Sequence, residues 1–458
     1  MSNHADLIVI GAGPGGYACA FRAADLGRKV IMVDPRTTLG GVCLNEGCIP
    51  SKALLHAAQI IREAREMSDW GVAFSKPRID LDALRTRKDG IVDTLTSGLT
   101  GLAKRRKVTT VQGTATFKNA QTLDIDGATW TFDQAVIAVG SAPVQLPGWP
   151  DDPRIWDSTA ALELREVPKE LAIVGGGIIG LEMATIYSAL GAQVTVVELA
   201  DQIAPGADAE AVKILAAALQ GQGVTIHTRT KVIAVKATKQ SIELTCDGDF
   251  EGMLSAGAVI QSVGRRSNGP KVSPENAGIT IDERGIIPVD SSGRTNIDSI
   301  FAIGDVTGNP MLAHRAAHQG HVAAEVASGH DAGLDTKLIP SVAYTNPELA
   351  WVGLTAAQAK ADGVAHKTCS FPWAASGRNL ASGGGDGLTK LVYCPDTRRL
   401  LGATLIGSNA GELLAECTLA IEMGATLEDI ALTVHAHPTL SETVAFAAER
   451  ALGILTDL

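Results

Sequence analysis

The chain predicts an α/β protein of several domains, on three observations. An apolar run followed by a glycine turn occurs twice, as GAGPGG at residues 11–16 and GGGIIG at 175–180. From about residue 337 the pattern changes to short runs of alternating polarity. A length of 458 residues suggests about three domains at roughly 150 residues each. Together they imply two Rossmann-like dinucleotide-binding units followed by an α+β module.

The first unit opens on an apolar strand at 7–10, with Gly11, Gly13 and Gly16 in the G-x-G-x-x-G positions after it. The first glycine makes the turn, the second lets backbone approach a pyrophosphate, and the third packs helix on strand. The helix start then faces the phosphates. A second strand, VIMVD, ends at Asp34, placed to bind a ribose hydroxyl.

Next comes GGVCLNEGCIPSK, residues 40–52, with Cys43 and Cys48 five positions apart. In a regular helix five steps turn the chain through about 500°, leaving the side chains about 140° apart. A bond between them therefore needs an irregular first turn, which Gly47 and Pro50 supply. Proline suits the first helical position, which puts Cys48 just outside the helix, where the dipole favours a thiolate. Two ordinary buried thiols remain the bland alternative. The other five cysteines are scattered singly, so neither a four-ligand zinc site nor a secreted disulfide framework is signalled. A reducing compartment is expected, and there a reactive disulfide is usually catalytic or sensory.

The glycine arrangement returns with Gly175, Gly177 and Gly180, and its strand-end acid is Glu198 in VTVVE. A second dinucleotide site suits two cofactors that exchange electrons. A carboxylate at Glu198 would repel the extra phosphate of NADP, so NAD is expected. Strands at 135–143 and 258–266 end in Gly140 and Gly264, candidate cofactor contacts. Asp305 follows Gly304 after an apolar strand, where it could bond a polyhydroxyl chain or simply cap a turn.

In the last segment SVAYT, TKLVY and LLGATLI read as an antiparallel sheet, and AGELLAECTLAIEMG as an amphipathic helix. Then comes VHAHPTLSE, residues 434–442. Pro438 forces a turn after His437, so Glu442 could fold back and orient an imidazole as a base acting on thiols.

Net charge of −11 and a pI near 5.4 argue against a nucleic-acid partner. The amino-terminal apolar run lacks a preceding positive charge, against an export signal, and Glu182 with Gly175 to Gly177 argues against a membrane span at 171–197. A cytoplasmic protein without membrane association is expected.

GAGPGG, GGVCLNEGCIPSK, GGGIIGLE, AIGDVTGNPMLAH and HAHPTLSE, in that order along essentially the whole chain, resemble the dihydrolipoamide dehydrogenases of the pyridine nucleotide-disulfide oxidoreductases. The resemblance implies FAD in a domain at 1–146 and NAD in one at 147–268. It also implies a central segment at 269–336 completing the flavin domain and an interface domain at 337–458. Cys43 would exchange with substrate and Cys48 contact the flavin. Lys52 would lie near the flavin, paired with Glu182, and His437, steadied by Glu442, would serve the other subunit of a homodimer. The implied reaction oxidises protein-bound dihydrolipoamide and reduces NAD, and the implied partners are the lipoyl domain and core subunit of a 2-oxo acid dehydrogenase complex. Two departures stand out: Asp34 where the family usually has glutamate, and GRRSNGP in place of GRRPN. A glutathione reductase-like enzyme of the same family is the alternative; it would prefer NADPH and carry arginines instead of Glu198.

Overall fold

The computed structural model describes residues 3–334 and 338–456. These gather into two compact units, one from the described residues of 1–53, 80–144 and 264–336, the other from those of 54–79, 145–263 and 337–458.

In the first unit strand β1 (His4–Ile10) and strand β2 (Val30–Asp34) pair in parallel, Leu7 opposite Val30 and Ile10 opposite Val33. Both are nearly continuous apolar runs because both faces of a parallel sheet are covered. Leu7, Val9 and Met32 are buried in one core cluster, and each such side chain contributes about 1.5–3 kcal/mol. The sheet continues from β2 to Thr109–Gln112, and from β1 to Ala128–Ile137, Thr122–Ile125 and Ala115–Asn119. The strand Ile300–Ala302 joins Ala128–Ile137 in parallel, returning the late segment that carries Asp305 to the same sheet.

Helix α1 (Pro14–Asp25) follows β1 with Pro14 in its first turn and Gly13 as its N-cap. Cys43 and Cys48 lie on separate helices, α2 (Gly41–Glu46) and α3 (Cys48–Glu66), parted at Gly47, whose φ of −140° and ψ of −103° are not helical. This corrects the expected position of Cys48. It opens α3 instead of preceding it, and Pro50 stands within the first turn, where its missing amide would have had no intrahelical partner anyway.

In the second unit a parallel sheet runs in the order Thr225–His227, Gln193–Val197, Glu170–Val174, Ala258–Gln261, Ile155–Trp156. The helix Ile178–Leu190 follows Glu170–Val174, and nine of its residues are buried, which is why the sequence there is almost free of charge. A five-stranded antiparallel sheet holds Ser341–Ala343, Glu348–Gly353, Leu400–Gly407, Leu388–Tyr393 and Lys367–Pro372 in that order. It contains the three alternating runs read from the sequence, and the predicted helix is Ala410–Glu422. Among the described residues no helix is long and apolar enough to cross a membrane.

Candidate functional site

The first glycine turn is built for close approach. Gly11 has φ +109°, and a Cβ there would stand 2.3 Å from the Ala138 carbonyl oxygen. A Cβ on Gly16 would stand 1.9 Å from the Gly11 oxygen, so the third glycine lets α1 pack against the turn. Gly13 differs: the nearest atom to its Cβ position is the Gly41 Cα at 3.9 Å, and no side chain caps the start of α1. Free amides and a bare backbone suit a pyrophosphate. Asp34 accepts the Ala12 amide through Oδ2 at 2.8 Å and the Arg36 amide through Oδ1 at 2.9 Å. Each carboxylate oxygen keeps a second lone pair for a ribose diol.

The second turn repeats this geometry. Gly175 has φ +106° and would clash with the Ser262 oxygen at 2.5 Å, Gly180 would meet the Gly175 oxygen at 2.1 Å, and nothing lies within 4 Å of a Cβ on Gly177. Glu198 accepts the Gly176 amide at 2.6 Å and the Ala200 amide at 2.7 Å. A carboxylate so held at the ribose position opposes a 2′-phosphate. The residues in both turns therefore fit a dinucleotide.

Cys43 and Cys48 are free thiols, both half-buried. Cys43 is pushed far above the ordinary cysteine range, first by its hydrogen bond with Cys48, then by burial and by the Cys48 charge, with Lys52 opposing. Tyr17, packed on the same core cluster as Cys43, is also raised, by burial first and then by the charges of the two cysteines. Lys52 stands one turn into α3 and donates to Ser51 Oγ at 3.4 Å. Glu182, in the second unit, is 4 % exposed and accepts the Tyr344 amide at 3.2 Å.

Asp305 lies in a short 3-10 turn, Gly304–Thr307, and accepts from Ser141 Oγ at 2.5 Å; Arg265 donates to the same hydroxyl at 2.7 Å. Gly140 accepts the Asn268 amide at 3.0 Å and Gly264 the Val144 amide at 3.0 Å. Asn268 also donates its side-chain amide to Val139 at 3.0 Å, so the departing GRRSNGP run still ties down the strand end. Ser141 and Arg315 escaped the sequence reading. Arg315 is 6 % exposed and holds the loop after Asp305, donating to Gly308 O at 2.6 Å, Pro310 O at 3.2 Å and Thr307 Oγ1 at 3.0 Å. Burial lowers its pKa and Asp305 offsets part of that. An arginine in an alanine-rich helix was the available hint.

The two histidines near the carboxyl end separate clearly. His435 is engaged at both ring nitrogens, with Thr433 O at 2.8 Å and Glu416 Oε1 at 2.7 Å, and its side chain is 8 % exposed. His437 is 80 % exposed, with Nδ1 at 2.8 Å from Glu442 Oε1. Glu442 Oε2 accepts the Thr439 amide at 2.8 Å, which fixes the carboxylate. A neutral imidazole held this way by an ionised carboxylate carries its hydrogen on Nδ1 and leaves Nε2 as the acceptor.

Residues 5–320 match the pyridine nucleotide-disulphide oxidoreductase family, and residues 339–448 match the dimerisation domain of that family. The dihydrolipoyl dehydrogenase of Haemophilus influenzae is 52 % identical over 99 % of this chain and 96 % of its own length. That of Vibrio cholerae is 50 % identical over 99 % and 97 %. Among solved structures, LpdA from Mycobacterium tuberculosis superimposes with a TM-score of 0.89 at 26 % identity, covering 97 % of this chain and 99 % of its own. The HOCl-induced flavoprotein disulfide reductase RclA from Escherichia coli gives 0.87 at 27 % identity, with the same coverage.

Proposed function

The chain belongs to the pyridine nucleotide-disulphide oxidoreductases and is an oxidoreductase of the dihydrolipoyl dehydrogenase kind, with FAD and NAD as cofactors; on that premise we propose how its residues divide the work. Cys43 and Cys48 form the exchangeable disulfide. The observation that carries this is their hydrogen bond across the Gly47 break, in the unit that holds the first glycine turn.

His437 of one subunit takes the proton of a dihydrolipoyl thiol at Nε2. The resulting thiolate attacks Cys43 Sγ, the Cys43–Cys48 bond breaks, and Cys48 leaves as a thiolate. The second dihydrolipoyl thiol then displaces Cys43, closing the lipoyl disulfide. Two electrons have passed from substrate to the cysteine pair, and the pair is left as a dithiol. FAD supplies the two-electron acceptor for that dithiol and NAD the terminal hydride acceptor. Gly11, Gly13, Gly16, Asp34, Gly140 and Asp305 would hold FAD; Gly175, Gly177, Gly180 and Glu198 would hold NAD, and Gly264 would be a further cofactor contact. Lys52 would steady charge near the flavin.

The four-part division at 1–146, 147–268, 269–336 and 337–458 belongs to the same reading. So do a closed two-fold homodimer, delivery of substrate by the lipoyl domain and core subunit of a 2-oxo acid dehydrogenase complex, and a cytoplasmic location. Fixed at Glu198, the second turn favours NAD over the NADPH of a glutathione reductase-like enzyme. Cys43→Ser should abolish NADH formation from dihydrolipoamide while the flavin spectrum persists. Normal turnover in that variant would overturn the assignment.

A further inference from the structure

The geometry points to Arg36 and Glu46 as positioning residues that set the poise of the Cys43–Cys48 couple. This inference rests on the reading of that couple as redox-active. Cys43 sits on a six-residue helix, far too short to hold its shape alone. The break at Gly47 separates it from the nineteen-residue helix that carries Cys48, so the geometry of Cys48 does not pass along the backbone to Cys43. The position of the Cys43 sulfur must then come from ties to the rest of the first unit.

Besides the packing of Cys43 and Leu44 on the core, those ties run through the residues between the two cysteines. Asn45 donates to Leu39 O at 3.1 Å and Gly41 O at 2.8 Å, and accepts from Thr38 Oγ1 at 2.9 Å. Glu46 receives a two-pronged contact from Arg36, Nε to Oε1 at 3.3 Å and NH2 to Oε2 at 3.1 Å. The backbone amide of Arg36 is itself held at 2.9 Å by Asp34, the acid of the first glycine turn. The strap from Asp34 to Glu46 is therefore closed on itself, with α2 as its far end. Exposed single-contact ion pairs contribute little, but a planar fork on a carboxylate fixes orientation as well as distance.

A closed clasp keeps the Cys43 sulfur beside Cys48 after reduction, which raises the effective concentration of one thiol at the other and favours the disulfide. Opening it should favour the dithiol. The equilibrium is enzyme disulfide plus two glutathione thiols giving enzyme dithiol plus glutathione disulfide; the enzyme gains two electrons and two protons, and glutathione loses them.

The test equilibrates the FAD-loaded enzyme in glutathione buffers, traps free thiols, and quantifies the peptide bearing both cysteines by mass spectrometry. Glu46→Gln and Arg36→Met should each shift the equilibrium three- to tenfold toward the dithiol, about 15 to 30 mV at 29.6 mV per decade. The exchanged pair Arg36→Glu with Glu46→Arg should return it to within about twofold of wild type, which a general loss of fit at either position would not do. Singles that match wild type, or an exchanged pair no closer than the singles, would overturn the inference while leaving the proposed function standing. A wild-type pair that never interconverts would overturn both.

Discussion

Glu442→Gln tests the proposed base through its proton bookkeeping. In the wild type Oε1 faces His437 Nδ1 at 2.8 Å and Oε2 takes the Thr439 amide at 2.8 Å, so both oxygens act as acceptors. Glutamine has one acceptor oxygen. If that oxygen keeps the part-buried Thr439 amide, the NH2 group turns toward Nδ1 and stabilises the tautomer with hydrogen on Nε2. The outward nitrogen then has no lone pair to take a thiol proton. If the amide flips, the imidazole keeps its working tautomer but the Thr439 amide loses its partner, at about 1–3 kcal/mol. The unproductive arrangement wins by that amount, so turnover should fall on the order of a hundredfold, or about 2.7 kcal/mol in the barrier at 1.36 kcal/mol per decade. The assay is NADH formation from dihydrolipoamide, with NADH oxidation by an artificial electron acceptor as a control that bypasses the thiol base. A loss of less than about fivefold in the first reaction would refute the tautomer argument. Equal losses in both would point to damage elsewhere.

Two neighbouring glycines should fail differently. Gly180→Ala places a Cβ 2.1 Å from the Gly175 oxygen and 2.6 Å from Ser262 Oγ, so the melting temperature should drop, with a cost of about 1–3 kcal/mol for overpacking. Gly177→Ala meets no atom within 4 Å, so it should melt like wild type yet bind NAD more weakly, as calorimetric titration would show. Acid stability supplies another check. Asp152 is held down at about 2 by the Arg154 side chain first and the Arg154 amide second. A depressed carboxylate stabilises the fold above its unfolded pKa of about 3.9, and that stabilisation disappears as pH falls toward 2. Asp152→Asn should therefore melt below wild type at neutral pH and converge with it on acidification; a gap constant down to the lowest measurable pH would contradict the assignment.

The parts of this site that were legible in the sequence are those whose chemistry demands a residue type. Gly11 and Gly175 were readable because their positive φ and contacts near 2.5 Å or less exclude any side chain. Asp34 and Glu198 were readable because each closes a parallel strand, though their bonds to Ala12 and Gly176 amides were not. The irregularity expected at Gly47 is there, but the opening of α3 falls at Cys48 because the chain turns helical directly after Gly47, two residues before the position that proline's preference for the first helical residue suggests. Ser141 and Arg315 were hidden for a different reason. Serine and arginine occur everywhere, and what makes these two matter is an Asp305 carboxylate far along the chain or a row of loop carbonyls, neither of which leaves a local pattern. His435 and His437 show the limit most plainly. They stand two residues apart in the same kind of sequence, and only tertiary structure, by setting Glu416 against one and Glu442 against the other, leaves a single imidazole with a nitrogen free for chemistry.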